Sequence, residues 1–289
     1  MASIKEYNIK LRSLTNTQKI TKTMKMVSAS KLRKAHQAQA NAKLYAQNVT
    51  ALTSRIAASV ESGLHPLLTP KKEVKKALIL ILTSNKGLCG AFNQNAIKQV
   101  LKWLETHRNN YQHIEVTCCG KKGFQSLKRR MTVKKFYDQT SSDPKFEDAM
   151  TIGQDLSGYF INGDYDEIFI VYNQFFSPLS QKAIFEKILP IDPQSLMHEK
   201  IENPREYIFE PQPAELLAFL IPHFLYFKIY FAMLENWAGE HGARMTAMDN
   251  ATKNASEMIE LYTLLRNRAR QEQITTELIE IIAGAEALK

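Results

Sequence analysis

Met245–Tyr262, MTAMDNATKNASEMIELY, decides the architecture. Met245, Met248, Thr252, Ala255, Ile259 and Tyr262 recur at a strict 3-4-3-4-3 spacing. That is the period at which one face of an α-helix meets a partner helix along a coiled-coil seam. A second run, Ile274, Leu278, Ile281, Ala285 and Leu288, follows 4-3-4-3. Between the two runs Arg266, Arg268, Arg270 and Gln271 break the stripe. The small stripe residues Thr252, Ala255 and Ala285 favour close approach of two helices. The stretch from about Pro213 to Lys289 reads as one long helix, roughly 115 Å at ~1.5 Å of rise per residue. A helix of that length must bury its stripe against something equally long.

The other end of the chain supplies a partner. From Ser3 to Ser59 there is neither Gly nor Pro, enough for a helix of roughly 85 Å. Its apolar positions are Ile4, Tyr7, Leu11 and Leu14, then Ile20, Met24 and Val27, with a register slip between Leu14 and Ile20. Beyond Leu32 the stripe thins into Ala, Gln and Asn before Leu44, Val49, Leu52 and Ile56 restore it. Gly63-Leu64-His65-Pro66 ends the helix. The two terminal helices are expected to pair antiparallel. A seam broken by polar residues near its end predicts that partners other than the first helix are met there.

Between them lies a different pattern. Val74–Thr83 is a continuous apolar run of strand length, as in a central strand covered on both faces. The loop Ser84–Gly90, a helix Asn93–Arg108, a strand Ile114–Cys119, a short helix Lys122–Lys128 and a strand Thr132–Tyr137 follow. A helix from Asp143 to about Phe160 and strands Glu167–Tyr172 and Gln181–Leu189 complete the set. Strands alternating with helices predict a parallel, doubly wound sheet. Pro190–Pro213 is a proline-punctuated return. The fold class is therefore α/β: a long antiparallel coiled coil of N- and C-terminal helices plus a central doubly wound, Rossmann-like domain. The expected domains are 1–62, 74–210 and 213–289. Leu216–Leu234 approaches membrane-spanning length, but Pro222, His223 and Lys228 inside it are costly in lipid. It reads as a buried core helix.

Charge is unevenly placed. Residues 1–60 hold eleven Lys/Arg against the single acid Glu6, so the whole net charge of +9 sits on the first helix. Such a face is solvated, and it also attracts acidic protein, phosphate or an anionic membrane. The first helix carries no interleaved aromatics beyond Tyr7 and Tyr45, which speaks against nucleic acid as partner. Cys89, Cys118 and Cys119 form no disulfide framework and suit a reducing compartment. Met1–Lys10 has no apolar signal region.

Motifs for chemistry are wanting. Ser84–Gly90 stands where doubly wound folds bind phosphate, yet it is neither G-x-G-x-x-G nor G-x-x-x-x-G-K-[ST]. It reads as a tight turn packed against another subunit, with phosphate binding as the rival. Cys118-Cys119 lacks the spacing of metal ligands, and there is no H-E-x-x-H or G-x-S-x-G. No cofactor, metal or catalytic residue is expected.

Two terminal segments resemble the gamma-subunit family of the rotary ATP synthase. At the N-terminus these are Thr17–Lys22, Met24-Lys25-Met26-Val27 and Ser30-Lys31-Leu32. At the C-terminus they are Glu240–Met248, Ala251–Ala255, Asn267-Arg268-Ala269-Arg270-Gln271, Ile274-Thr275, Glu277–Ile281 and Gly284-Ala285. The loop Gly87-Leu88-Cys89-Gly90 with Asn93, and Phe209-Glu210-Pro211, are also similar. The chain departs from the family pattern at Arg266 (usually Tyr), Gly239 (usually Ser) and Asn85 (more often Asp). No insertion resembles the redox segment of chloroplast forms.

The resemblance implies a non-catalytic rotor shaft. Its partners would be the alpha and beta subunits (three of each), the epsilon subunit and the membrane c-ring. It would work peripherally, at the cytoplasmic face of the bacterial cell membrane, while the beta subunits carry the active sites. Subunit contacts are implied for Met24, Lys25, Arg244, Arg268, Arg270, Gln271, Thr275 and Glu277, and a role in the central-domain loop for Lys86, Gly87 and Gly90.

Overall fold

In the computed structural model the terminal segments are α1 (Ile4–Ala58), of 55 residues, and α5 (Pro213–Ala287), of 75. The structure describes residues 3–58, 65–138, 143–192 and 213–287. The expected helix stop at Gly63, the return between 193 and 212 with Phe209-Glu210-Pro211, and stripe residue Leu288 lie outside them. The intervening elements are β1 (Lys76–Leu82), α2 (Phe92–His107), β2 (His113–Cys119), α3 (Lys121–Leu127), β3 (Val133–Tyr137), α4 (Phe146–Ile161), β4 (Glu167–Ser177) and β5 (Ser180–Leu189). The chain divides into two compact units, Met1–Ser28 with Met245–Lys289, and Ala29–Arg244.

Within Ala29–Arg244 the five strands form one sheet in the order β3-β2-β1-β4-β5. β1 pairs parallel with β2 and β4, and β2 parallel with β3. β5 departs from the expected parallel sheet, because it runs antiparallel to β4. The two-residue connection Pro178-Leu179 is far too short for a crossover, so the chain folds straight back. The apolar run of β1 serves both faces. Leu78, Leu80 and Leu82 pack with Ile152, Leu156 and Phe160 of α4 and with Ile221, Leu225 and Ile229 of α5. Ala77, Ile79 and Ile81 pack with Ala96, Ile97 and Val100 of α2 and Leu127 of α3.

The apolar Leu216–Leu234 segment is thus a core helix in this unit. Ile221, Leu225 and Ile229 are fully buried, each stabilising by ~1.5–3 kcal/mol. Lys228 reaches Glu186 at 3.5 Å. By length and composition alone α5 could cross a membrane.

In the other unit α1 and α5 run antiparallel. Gln18 Nε2 donates to Ser256 Oγ at 2.7 Å, Thr252 Oγ1 to Thr21 Oγ1 at 2.7 Å, and Lys25 Nζ to Asp249 Oδ1 at 2.5 Å. The Tyr7 and Tyr262 rings lie 6.2 Å apart. On α1 the half-buried or buried positions include Ile4, Tyr7, Leu11, Leu14, Gln18, Thr21, Lys25 and Ser28, an unbroken 3-4 spacing. There is therefore no register slip. Ile20 and Val27 are 60% and 52% exposed, so they stand off the seam. The seam keeps its period and turns polar, which a search for apolar residues reads as a shift. On α5 the stripe Met245–Tyr262 faces inward as expected, with Met248 and Ala255 buried.

Thr83 closes the carboxyl end of β1. Its N–H donates to Cys119 O at 2.8 Å and its hydroxyl accepts from Gly123 N at 2.9 Å. Gly120 has φ +102°, and a Cβ there would lie 2.1 Å from Thr83 O. Gly90 has φ +58° with open space around it. Gly120→Ala should therefore cost ~3 kcal/mol or more, through strain and clash together, while Gly90→Ala costs ~1–2 kcal/mol from conformation alone. Urea unfolding of the two variants checks this; equal losses would refute it.

Candidate functional site

Within Ala29–Arg244, β4 outruns its neighbour. β1 pairs with β4 only as far as Val171, so the β1-facing edge of Tyr172–Ser177 is open. An open edge leaves backbone N–H groups to be satisfied elsewhere. α5 satisfies them with side chains. Asn236 Oδ1 accepts from Asn173 N at 3.3 Å, and Glu235 Oε2 accepts from Phe175 N at 2.6 Å. The other Glu235 oxygen accepts from Gln39 Nε2 of α1. The His36 ring of α1 meets the Phe175 ring edge-on, with centroids 4.8 Å apart. Burial pushes the Glu235 carboxyl above its usual range, against the opposing pull of the Phe175 N–H and Gln39.

Further along α5, Glu240, His241 and Arg244 are all buried. Arg244 Nη1 bonds Glu240 Oε1 at 2.7 Å. Arg244 Nε donates to Gly87 O at 3.3 Å, and Nη2 to Lys86 O at 3.1 Å and Gly87 O at 3.2 Å. Nη1 also lies 3.3 Å from His241 Nδ1, which accepts as neutral imidazole. Burial, then the charges of Arg244 and Lys31, hold the His241 pKa down at about 3. Burial raises Glu240, and Arg244 opposes the rise.

The Ser84–Gly90 loop therefore packs on the chain's own α5. Ser84 N donates to Asn93 Oδ1 at 2.9 Å, and Ser84 Oγ to Lys86 O at 2.6 Å. Lys86 and Gly90 are exposed, Gly87 partly so. Two departures from the family pattern have local reasons. Asn85 accepts from Lys121 N at 2.9 Å and donates to Asp138 O at 3.2 Å, a pairing that Asp could only half reproduce. A Cβ at Gly239 would lie 2.9 Å from Phe92 Cε2, so the Phe92 ring occupies the space of a serine side chain. Cys89, Cys118 and Cys119 are buried and form no disulfide, with the Cys118 thiol pushed up to about 12 by burial. Among the described residues no three His, Cys, Asp or Glu are placed to hold a metal ion.

In the Met1–Ser28 and Met245–Lys289 unit, Met24 is half-buried. Lys25 is committed to Asp249, whose carboxyl it holds below the usual range and which also meets Lys253 at 3.4 Å. Arg268 pairs with Glu272 at 3.2 Å, Gln273 donates to Glu277 at 2.8 Å, and Thr275 Oγ1 donates to Gln271 O at 2.9 Å. The Arg270 and Gln271 side chains face solvent. From Gln271 to Ala285 every residue is exposed, including Ile274 at 50%, Leu278 at 54% and Ile281 at 68%. The offset that sets Gln18 against Ser256 brings α1 to its start opposite about Arg270, so beyond it α5 has no partner among the described residues.

The structure thus gathers Lys86, Gly87 and Arg244 in one cluster and leaves Arg270, Gln271, Thr275 and Glu277 on a free helix end. The burial of Glu240 against Arg244, and the pairing of Glu235 and Asn236 with the β4 edge, are visible only in the structure. Their sequence signal was only that of polar residues directly after an apolar run, on a helix still in register with the core.

Arg244→Met strands the Glu240 carboxylate and should cost ~3–5 kcal/mol, whereas Arg244→Met with Glu240→Leu should recover most of it. Urea titrations test this. His241 has a folded pKa below its usual 6.5, so its stabilising contribution is complete above 6.5 and is lost as pH falls towards about 3. The raised carboxyls act in the opposite sense. The melting temperature of His241→Gln should therefore fall less than that of the parent between pH 6.5 and 4; parallel curves would refute the assignment.

The sequence model of the ATP synthase family matches residues 3–288. The ATP synthase gamma chain of Trichlorobacter lovleyi is 44% identical over 292 residues, and that of Geobacter metallireducens 42% over 289, each covering 100% of both chains. A chain of the Euglena gracilis mitochondrial ATP synthase in an OSCP/F1/c-ring assembly superposes with a TM-score of 0.67, covering 99% of this chain and 94% of that one at 20% identity. A chain of the Tetrahymena thermophila central stalk and c-ring gives 0.58 at 24% identity, covering 80% and 99%. With near-complete family coverage and full-length relatives at this identity, the chain belongs to the ATP synthase gamma-chain family.

Proposed function

We propose that this chain is the non-catalytic rotor shaft of an ATP synthase catalytic head. It couples transmembrane ion flow and c-ring rotation to sequential conformational change in the beta subunits, driving ATP synthesis or, in reverse, hydrolysis. The observation that carries this reading is the free end of α5, from Gln271 to Ala285, an exposed helix with an apolar stripe and polar positions facing out. An apolar stripe of that length in water needs a sleeve. In this reading residues 1–62 and 213–289 are the shaft and 74–210 the domain that joins the epsilon subunit and the c-ring. Three alpha and three beta subunits surround the shaft, and the complex holds the chain peripherally at the cytoplasmic face of the bacterial membrane.

The mechanism is differential contact. A shaft without three-fold symmetry presents a different face to each beta subunit and biases a bistable element there. Met24, Lys25, Arg244, Arg268, Arg270, Gln271, Thr275 and Glu277 are the proposed contact and coupling residues. Arg244 acts through the Lys86–Gly87 loop, to which it is bonded. Arg270 and Gln271 hydrogen-bond a beta loop in one rotational state. Rival phosphate binding at Ser84–Gly90 would have to displace the bond that Ser84 N already makes to Asn93 Oδ1.

Native mass spectrometry of the complex from gently washed membranes tests the reading. One copy with three copies each of two larger partners, and ATPase activity, is expected; a lone monomer or homodimer overturns it. Arg270→Ala with Gln271→Ala removes bonds worth ~1.5–3 kcal/mol, so turnover should fall by about tenfold or more with the complex still assembled. Met24→Lys adds a cation facing acidic beta residues, so ion transport should fall relative to ATP turnover. Normal coupling in that variant would refute its placement.

A further inference from the structure

Glu235 and Asn236 join two kinds of surface in the Ala29–Arg244 unit. The apolar contacts of Ile221, Leu225, Ile229 and Met233 hold α5 to the sheet, but apolar packing is non-directional and tolerates sliding. Hydrogen bonds to backbone N–H groups fix direction as well as distance. Glu235 and Asn236 are 6% and 5% exposed, and they bond the N–H groups of Phe175 and Asn173 on the open edge of β4. Glu235 ties the same point to Gln39, so one carboxylate links α1, α5 and β4. The β4–β5 hairpin also closes on α5 at Gly242, where a Cβ would lie 2.9 Å from Phe175 Cε2 and 3.1 Å from Pro178 Cα. Asn173 Nδ2 also donates to Phe92 O at 3.3 Å, which brings the start of α2 into the same joint.

We propose that Glu235, assisted by Asn236, is the positioning residue that keys the α/β domain to the helix pair, so that torque applied to the domain reaches the helices without slip. The inference rests on the rotor reading above. Charge-assisted bonds from a buried carboxylate to a backbone N–H and an amide are stiff because breaking either strands a buried group. Apolar burial supplies adhesion, and the polar pin supplies the angular key. Removing the pin leaves the domain attached but torsionally loose.

The test is single-molecule rotation of the assembled catalytic head, with the alpha and beta ring immobilised and a probe on the α/β domain. The angular variance during pauses reports torsional stiffness. Glu235→Ala with Asn236→Ala should raise that variance at least twofold and slow rotation against a viscous load. Unloaded ATPase should stay within twofold of the parent, because no beta contact is altered. Glu235→Gln, which keeps the shape and one acceptor oxygen, should lie between the two. Unchanged variance in the double variant overturns the proposal, as does a loss of unloaded turnover matching the loss under load. If the double variant does not assemble, Glu235→Gln alone decides, and parental variance overturns the proposal. A parent that fails to rotate at all would instead sink the rotor reading.

Discussion

The open edge of β4 beyond Val171 is the constraint on which the rest of the domain depends. A strand that outruns its neighbour in a buried position must find acceptors for its N–H groups or lose ~1–3 kcal/mol for each. α5 supplies them from consecutive residues, Glu235 and Asn236. To do so it must run along the edge at hydrogen-bonding distance, in a fixed rotation about its own axis. The same placement brings Arg244 to the carbonyls of Lys86 and Gly87 and sets Gly239 against the Phe92 ring. Loop, hairpin and helix are thus joined through polar bonds to one short stretch of α5, Glu235–Arg244, which is buried on nearly every side.

α5 is one continuous helix with three chemistries in succession. Its first part is apolar and belongs to the sheet core, through Ile221, Leu225 and Ile229. Its middle is polar and buried, from Glu235 to Arg244. Its last part carries the 3-4 stripe that faces α1 and then runs on exposed. Buried polar contacts give specificity of register more than net stability. The seam on α1 follows the same rule, with Gln18, Thr21 and Lys25 bonding across to Ser256, Thr252 and Asp249. A helix pair held by such bonds has one register, and it leaves Ile20, Met26 and Val27 on the outside of a strongly basic helix.

Period and composition carried much of the reading from residues to fold. The long helices, the doubly covered strand β1, and the order of strands and helices all follow from apolar spacing and from Gly and Pro punctuation, which are local properties. Other features depend on neighbours distant in sequence. The direction of β5 is set by the two-residue turn Pro178-Leu179, which carries no Gly or Asn to mark it as a hairpin. The seam of α1 was lost where it became polar, because a polar residue shows itself as buried only when its partner is known. The burial of Glu235, Asn236 and Glu240 was hidden for the same reason: a polar group on a helix reads as solvated until a strand edge or a guanidinium is found beside it.

The amino-acid sequence by itself determined that two long helices flank a doubly wound domain, that the basic charge lies on the first helix, and, by its motifs, to which family the chain is similar. Tertiary structure alone decided which face of α1 stays inside beyond Leu14, which loop Arg244 serves, and where α5 outlives its partner. The physical reason is range. Helical and strand periods are set by residues a few positions apart, whereas burial of a charge, closure of a strand edge and the end of a seam are set by groups as far apart as Gln39 and Glu235 or Gly87 and Arg244.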